Sequence, residues 1–163
     1  MADYHIAMGQ ALVLNNLNGN TIYTGPQPIG NALRSCSAII MVNTVTGVGG
    51  LYHKPAEASL GSQARTIIDD MNTMIQPNEI WLYYGNAVDH GSSRATDLSD
   101  LSSYLLNIVP HINNRPASTG AVSVSINAGV PQINTNQMNI TGANNLTNHG
   151  AGAIPGIGGH LFM

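Results

Sequence analysis

Charge is what this chain has least of. Asp, Glu, Lys and Arg make up 8% of its 163 residues, against roughly 25% in an average soluble domain. The net charge is -3 and the basic residues stand singly, which argues against nucleic acid as a partner. There is one cysteine, Cys36. A disulfide within the chain is therefore excluded, and without a C-x-x-C pair the usual Cys/His zinc site cannot be built. The histidines do not fall at metal-ligand spacing, so neither a metal nor a cofactor is expected. No run approaches the roughly 18 apolar residues of a membrane helix. The opening MADYHIAMGQALVL carries Asp3 early and no basic stretch, unlike a secretory signal peptide. These features predict synthesis in a cytosol.

What is present is apolar patterning. Hydrophobic residues reach 43%, enough for one sizeable core. His5 to Leu14 reads as a first strand with Gly9 as a bulge, and a short strand follows at Thr21 to Tyr23. Ser37 to Val42 is an apolar run of β-formers. Asn43 to Gly47 reads as a turn, and Gly49 to His53 as the returning strand. Leu60, Ala64, Ile67, Ile68, Met71 and Ile75 recur at helical spacing, capped by Ser59 or Ser62 and ended by Pro77. Glu79 to Tyr84 is a strand. Asp97 reads as the cap of a second helix, and Ala121 to Ile126 alternates with period two. The order predicts an α/β or α+β domain, with a mixed, largely antiparallel sheet or sandwich flanked by two helices. The expected division is a catalytic domain over 1–129 and an Asn/Gly-rich segment over 130–163, irregular or packed on that domain, with a monomer favoured.

A nucleophilic cysteine needs a base within hydrogen-bond reach, and the base needs an orienting partner. Cys36 stands just before the first strand of the expected hairpin and His53 ends the second, so the turn returns them to one end. Register decides whether they meet, because a slip of one residue sends a side chain to the other face. Gly49-Gly50 is a place where a bulge would shift it. The bland alternative is a small buried cysteine and a strand-end histidine that meet no one. Trp81, Tyr83 and Tyr84 read as core packing.

The stretch LRSCSAIIMVNTVTGVGGLYHKP, Leu33 to Pro55, resembles the signature of the chemoreceptor glutamine deamidases, the CheD family. There Leu-x-Ser-Cys opens a hydrophobic strand and Gly-Gly-x-x-His ends the next, and the 17 positions from Cys36 to His53 match that family's usual spacing. The catalytic domain of cytotoxic necrotizing factor and related bacterial deamidases share this fold and Cys–His dyad. At the level of element order the resemblance runs from about Asn31 to Ile126; its specific part is the hairpin. It implies Cys36 as nucleophile and His53 as general base and acid. One departure stands out. The chemotaxis enzymes carry a Thr six positions before the Cys that orients the His, and here that position is Gly30. Asn31 is the candidate orienter, with Gln27 and Thr24 as alternatives, and backbone N–H groups near Ser35 and Ser37 are candidates for the oxyanion.

The resemblance implies a protein-glutamine deamidase whose partner is a protein bearing a reactive Gln. The setting expected is a delivered bacterial effector or toxin, on the low charge, the missing Thr and the Asn/Gly-rich tail. The same dyad would also serve a chemotaxis-type deamidase, a transglutaminase or a cysteine protease. A non-enzymatic structural or adhesive β-rich module is the reading from a different class.

Overall fold

The structure, a computed structural model, describes residues 2–25, 33, 35–57, 59–85, 91–109, 112–117, 120–136 and 144–163. Chain order is β1 (Asp3–His5), β2 (Ala11–Leu14), β3 (Thr21–Thr24), β4 (Ser37–Val42), β5 (Gly49–Lys54), α1 (Ser62–Ile75), β6 (Glu79–Gly85), α2 (Gly91–Ile108), β7 (Ile112–Ala117), β8 (Val122–Asn127), β9 (Val130–Asn134), β10 (Asn144–Asn145), β11 (Gly152–Ile154) and β12 (Gly159–Phe162). They form a five-stranded sheet, β10-β1-β3-β8-β9, and a seven-stranded sheet, β11-β12-β2-β5-β4-β6-β7. Most pairings are antiparallel; β1 with β10, β1 with β3, and β6 with β7 are parallel. This is an α+β fold of two helices and two mixed, largely antiparallel sheets.

Alternation along β4 and β5 explains the layering. Residues of opposite parity on a strand point to opposite faces. Ile40, Val42 and Leu51 face the small sheet, packing with Ile22, Val122, Val124 and Ile126. Ile39, Met41 and Tyr52 face the helices, packing with Ile67, Ile68, Met71, Leu101 and Leu105. The central strands are buried on both sides, so they read as unbroken apolar runs. Each large side chain taken out of water there contributes about 1.5–3 kcal/mol.

Several local expectations give way to tertiary structure. The first strand is two strands in different sheets. The chain crosses between the sheets at Ala7–Gln10, where Gly9 takes φ +89°, a conformation glycine adopts without strain. Neither Ser59 nor Ser62 caps α1: its N-cap is Gly61, and the Glu57 carboxylate accepts the Gly61 N–H at 3.0 Å. Gln76, in the left-handed conformation, closes that helix before Pro77. Asp97 is no cap, since α2 begins at Gly91; its carboxylate is buried against Lys54 instead. Strand β7 was not anticipated because Pro116 breaks the pattern, and its edge position is where a sheet tolerates proline. Residues 130–163 supply β9 to β12, with β12 paired to β2.

Candidate functional site

The hairpin register is regular. Ala38 faces His53, Met41 faces Gly50 and Val42 faces Gly49, with no bulge at the glycine pair. Asn43 sets the turn. Its side-chain oxygen accepts the N–H groups of Val45 and Thr46, each at 3.1 Å. Its amide nitrogen donates to the Gln76 carbonyl at 2.8 Å, which ties the turn to the end of α1. Gly47, at φ +80°, lets the chain return. The glycines serve close packing: a Cβ on Gly50 would lie 2.7 Å from the Leu12 carbonyl oxygen.

This register puts Cys36 and His53 on the same face, the one toward the small sheet. By register Cys36, just before β4, lies one diagonal step from His53, and no hydrogen bond joins the thiol to the imidazole. Both are buried, His53 completely. The Cys36 sulfur makes its contact with Met8 Sδ at 3.6 Å, and His53 Nε2 is buried without a hydrogen-bond partner. Met8 is itself 56% exposed. It sits in the crossing between β1 and β2 and stands over the thiol. Gln10 braces this crossing, accepting the Ala7 N–H at 2.8 Å and donating to the Leu146 carbonyl at 2.9 Å.

The hydrogen-bond partner of His53 is Thr24, at the end of β3 in the opposite sheet. Its hydroxyl lies 2.7 Å from His53 Nδ1 and donates to the Ile6 carbonyl at 3.1 Å. A threonine hydroxyl has one proton to give. With that proton on the Ile6 carbonyl, the oxygen accepts from Nδ1–H, so the unprotonated nitrogen is Nε2. That is the tautomer a base needs, since the hydrogen bond at one ring nitrogen decides which the other must be. Asn31, the expected orienter, and Gln27 lie outside the described residues. Ser35 occupies the bend before β4, half-buried. Ser37 pairs with Lys54 and by alternation points toward the helices, so its side chain is not brought to the thiol.

Burial shapes the electrostatics. It pushes the Cys36 thiol above its ordinary pKa, opposed by the Ala56 backbone N–H and the Lys54 charge, while the Asp97 charge adds to the rise. Burial also lowers His53 to about 4, helped by the nearby His5. These shifts favour a neutral thiol and a neutral imidazole over an ion pair. Lys54, fully buried, meets Asp97 at 3.0 Å and Glu57 at 3.6 Å. Among the described residues no three His, Cys, Asp or Glu side chains gather as a metal site, and no helix is long and apolar enough to cross a membrane. No protein-family model matches the chain, and no curated protein matches it.

Proposed function

We propose that this protein is a protein-glutamine deamidase, with Cys36 as nucleophile, His53 as general base and acid, and Thr24 as the residue that orients His53. The observation that carries the reading is the Thr24–His53 contact of 2.7 Å, with Cys36 on the same face of the hairpin. A lone buried histidine has no need of a tautomer that leaves Nε2 bare, whereas a base does. Thr24 also supplies the hydroxyl that Gly30 lacks, from a different strand.

The reaction follows from a neutral resting pair. His53 Nε2 takes the thiol proton as the sulfur attacks the carboxamide carbon of a substrate Gln. Collapse of the tetrahedral intermediate breaks the C–N bond, and the His53 proton goes to the departing nitrogen to give ammonia. Water then attacks the thioester, His53 takes its proton, the C–S bond breaks, and the proton returns to Cys36. The net change is Gln plus water to Glu plus ammonia. The new carboxylate adds a negative charge that can switch an interface of the target.

Deamidation leaves a mass change of about 1 Da by the stoichiometry just given. Intact and peptide mass spectrometry of candidate substrates, with and without a primary amine, tests the reading. A Gln-to-Glu change that persists in amine and vanishes in Cys36→Ala supports it. Exclusive amine adducts make the enzyme a transglutaminase, a cut chain makes it a protease, and no modification leaves a structural module. The effector setting rests on the low charge and the Asn/Gly-rich segment. Expression inside target cells tests it, with equal growth for wild type and Cys36→Ala counting against it.

A further inference from the structure

Met8 meets the thiol with a side chain that is itself largely in solvent. It is 56% exposed, against 7% for Cys36, and its Sδ lies 3.6 Å from the Cys36 sulfur. The backbone beneath it is pinned. The Gly9 N–H donates to the His53 carbonyl at 2.8 Å and the His53 N–H donates to the Gln10 carbonyl at 3.0 Å, so the crossing is stitched to the end of β5. Within the crossing the Gln10 N–H donates to the Ala7 carbonyl at 3.1 Å, and Gln10 Oε1 accepts the Ala7 N–H at 2.8 Å. The Met8 side chain has no such ties, and methionine is unbranched with three rotatable bonds. Uncovering Cys36 is therefore a rotation of one side chain over a fixed backbone.

Methionine and glutamine are straight side chains to the same depth. Counting outward from Cα, the atom after Cβ and Cγ is Sδ in one and the carboxamide carbon Cδ in the other. The Met8 atom against the Cys36 sulfur thus holds the place of the carbon that a thiolate attacks. Its 3.6 Å is close to the roughly 3–3.5 Å between reacting atoms in a near-attack arrangement. We propose that Met8 is an internal substrate mimic: its side chain fills the slot that a glutamine of the target protein enters, and it swings out when the target docks. A thioether offers the sulfur no carbonyl carbon, so the resting site is closed without reacting with its own cover. The slot also selects by length, because an asparagine carboxamide carbon stands one atom nearer the backbone and falls short. The inference rests on the reading of Cys36 as the nucleophile of a glutamine deamidase.

The test puts a true carboxamide where the mimic stands. In the full chain, Met8→Gln brings that carbon to the Cys36 sulfur. Attack forms the C–S bond, the C–N bond breaks, and ammonia leaves with the proton held by His53. Water then hydrolyses the thioester, and the proton returns to Cys36. The expected result is a gain of about 1 Da at position 8, the mass difference between an amide and an acid. Its rate is independent of protein concentration, and it is absent from Met8→Gln/Cys36→Ala. A second readout needs no turnover. At constant pH and early times, iodoacetamide labels Met8→Gln as slowly as wild type and Met8→Ala several-fold faster. Met8→Gln labelled as fast as Met8→Ala overturns the proposal, because the side chain at position 8 then lies outside the slot. A position-8 carboxamide that shields the thiol yet stays intact, when the wild type converts glutamines of the candidate substrates, overturns the mimic and leaves the deamidase reading standing. If those glutamines stay intact as well, the deamidase reading falls and the mimic with it. Conversion at position 8 supports both, whichever external target is found.

Discussion

Replacing Thr24 by Val tests the site at the place where two sheets meet. The two side chains have nearly the same shape, so the change removes a hydroxyl and little volume. In the wild type that hydroxyl lies 2.7 Å from His53 Nδ1, where the Nδ1–H tautomer donates to it, and it donates to the Ile6 carbonyl at 3.1 Å. Thr24, like His53, is fully buried, so water does not readily replace either bond. An orphaned buried donor costs about 1–3 kcal/mol. For a chain of this size each kcal/mol is worth roughly 2–4 °C, so the midpoint of thermal unfolding falls by about 2–12 °C. Activity falls further. A net hydrogen bond of about 1.4 kcal/mol favours the Nδ1–H tautomer roughly tenfold, and loss of the orienting partner in a related triad costs up to about 10⁴ in kcat. The expected loss in Gln-to-Glu conversion lies between those limits. Thr24→Ser keeps the hydroxyl and retains most of the rate. Ammonia release and substrate mass, read with a thermal melt on the same preparations, decide it. Thr24→Val with undiminished turnover would refute the assignment, as would a Ser variant as impaired as Val.

The remaining predictions concern the surroundings of the pair. His53 takes a proton near pH 6.5 when unfolded and near 4 when folded, so between those values the unfolded chain binds more protons. The stability this group confers is therefore whole above pH 6.5 and lost as the pH falls through 4, about 3 kcal/mol in all; urea titrations across that window should show His53→Gln flattening the slope, and equal slopes would contradict it. Met8→Ala uncovers the thiol, so iodoacetamide labels Cys36 several-fold faster at constant pH; unchanged labelling would mean that Met8 does not cover it. Gly50→Ala pushes a methyl group to 2.7 Å from the Leu12 carbonyl and destabilises the fold by about 1–3 kcal/mol, seen as a lower urea midpoint; a midpoint equal to wild type would show that the β2–β5 contact can open without strain.

Much of the large sheet was legible from local pattern. Ser37 to Val42 is apolar at every position, Leu60 to Ile75 repeats at helical spacing, and the turn at Asn43 separates two β-forming runs. Those signals are short-range, and they locate β4, β5, α1 and β6 within a residue or two. They also bring Cys36 and His53 to one end of a hairpin. The strands from Val130 onward were not legible, because β9 to β12 are short and carry few large apolar residues. They exist as strands because neighbours such as β2 and β8 offer them backbone partners, a fact of tertiary pairing rather than of propensity. The split of the first strand has the same origin: only two separate sheets give Ala7–Gln10 a gap to cross.

The site divides along the same line. Residue type and interval made Cys36 and His53 a candidate pair at one end of a hairpin, and the resemblance of the surrounding stretch to a deamidase signature singled them out. Their common face was a matter of register, settled by the side chain of Asn43 and its tie to the end of α1. Thr24 reaches His53 from the other sheet, 29 residues away in sequence, and no local spacing distinguishes it from Gln27 or Asn31. Lys54 and Asp97 lie 43 residues apart on a strand and a helix that meet only in the folded core. Short-range pattern determines which segments become strands and helices and which chemistry they carry; only the packing of two sheets and two helices determines which hydroxyl and thioether surround that chemistry, because those contacts depend on burial and distance, which a linear chain does not encode locally.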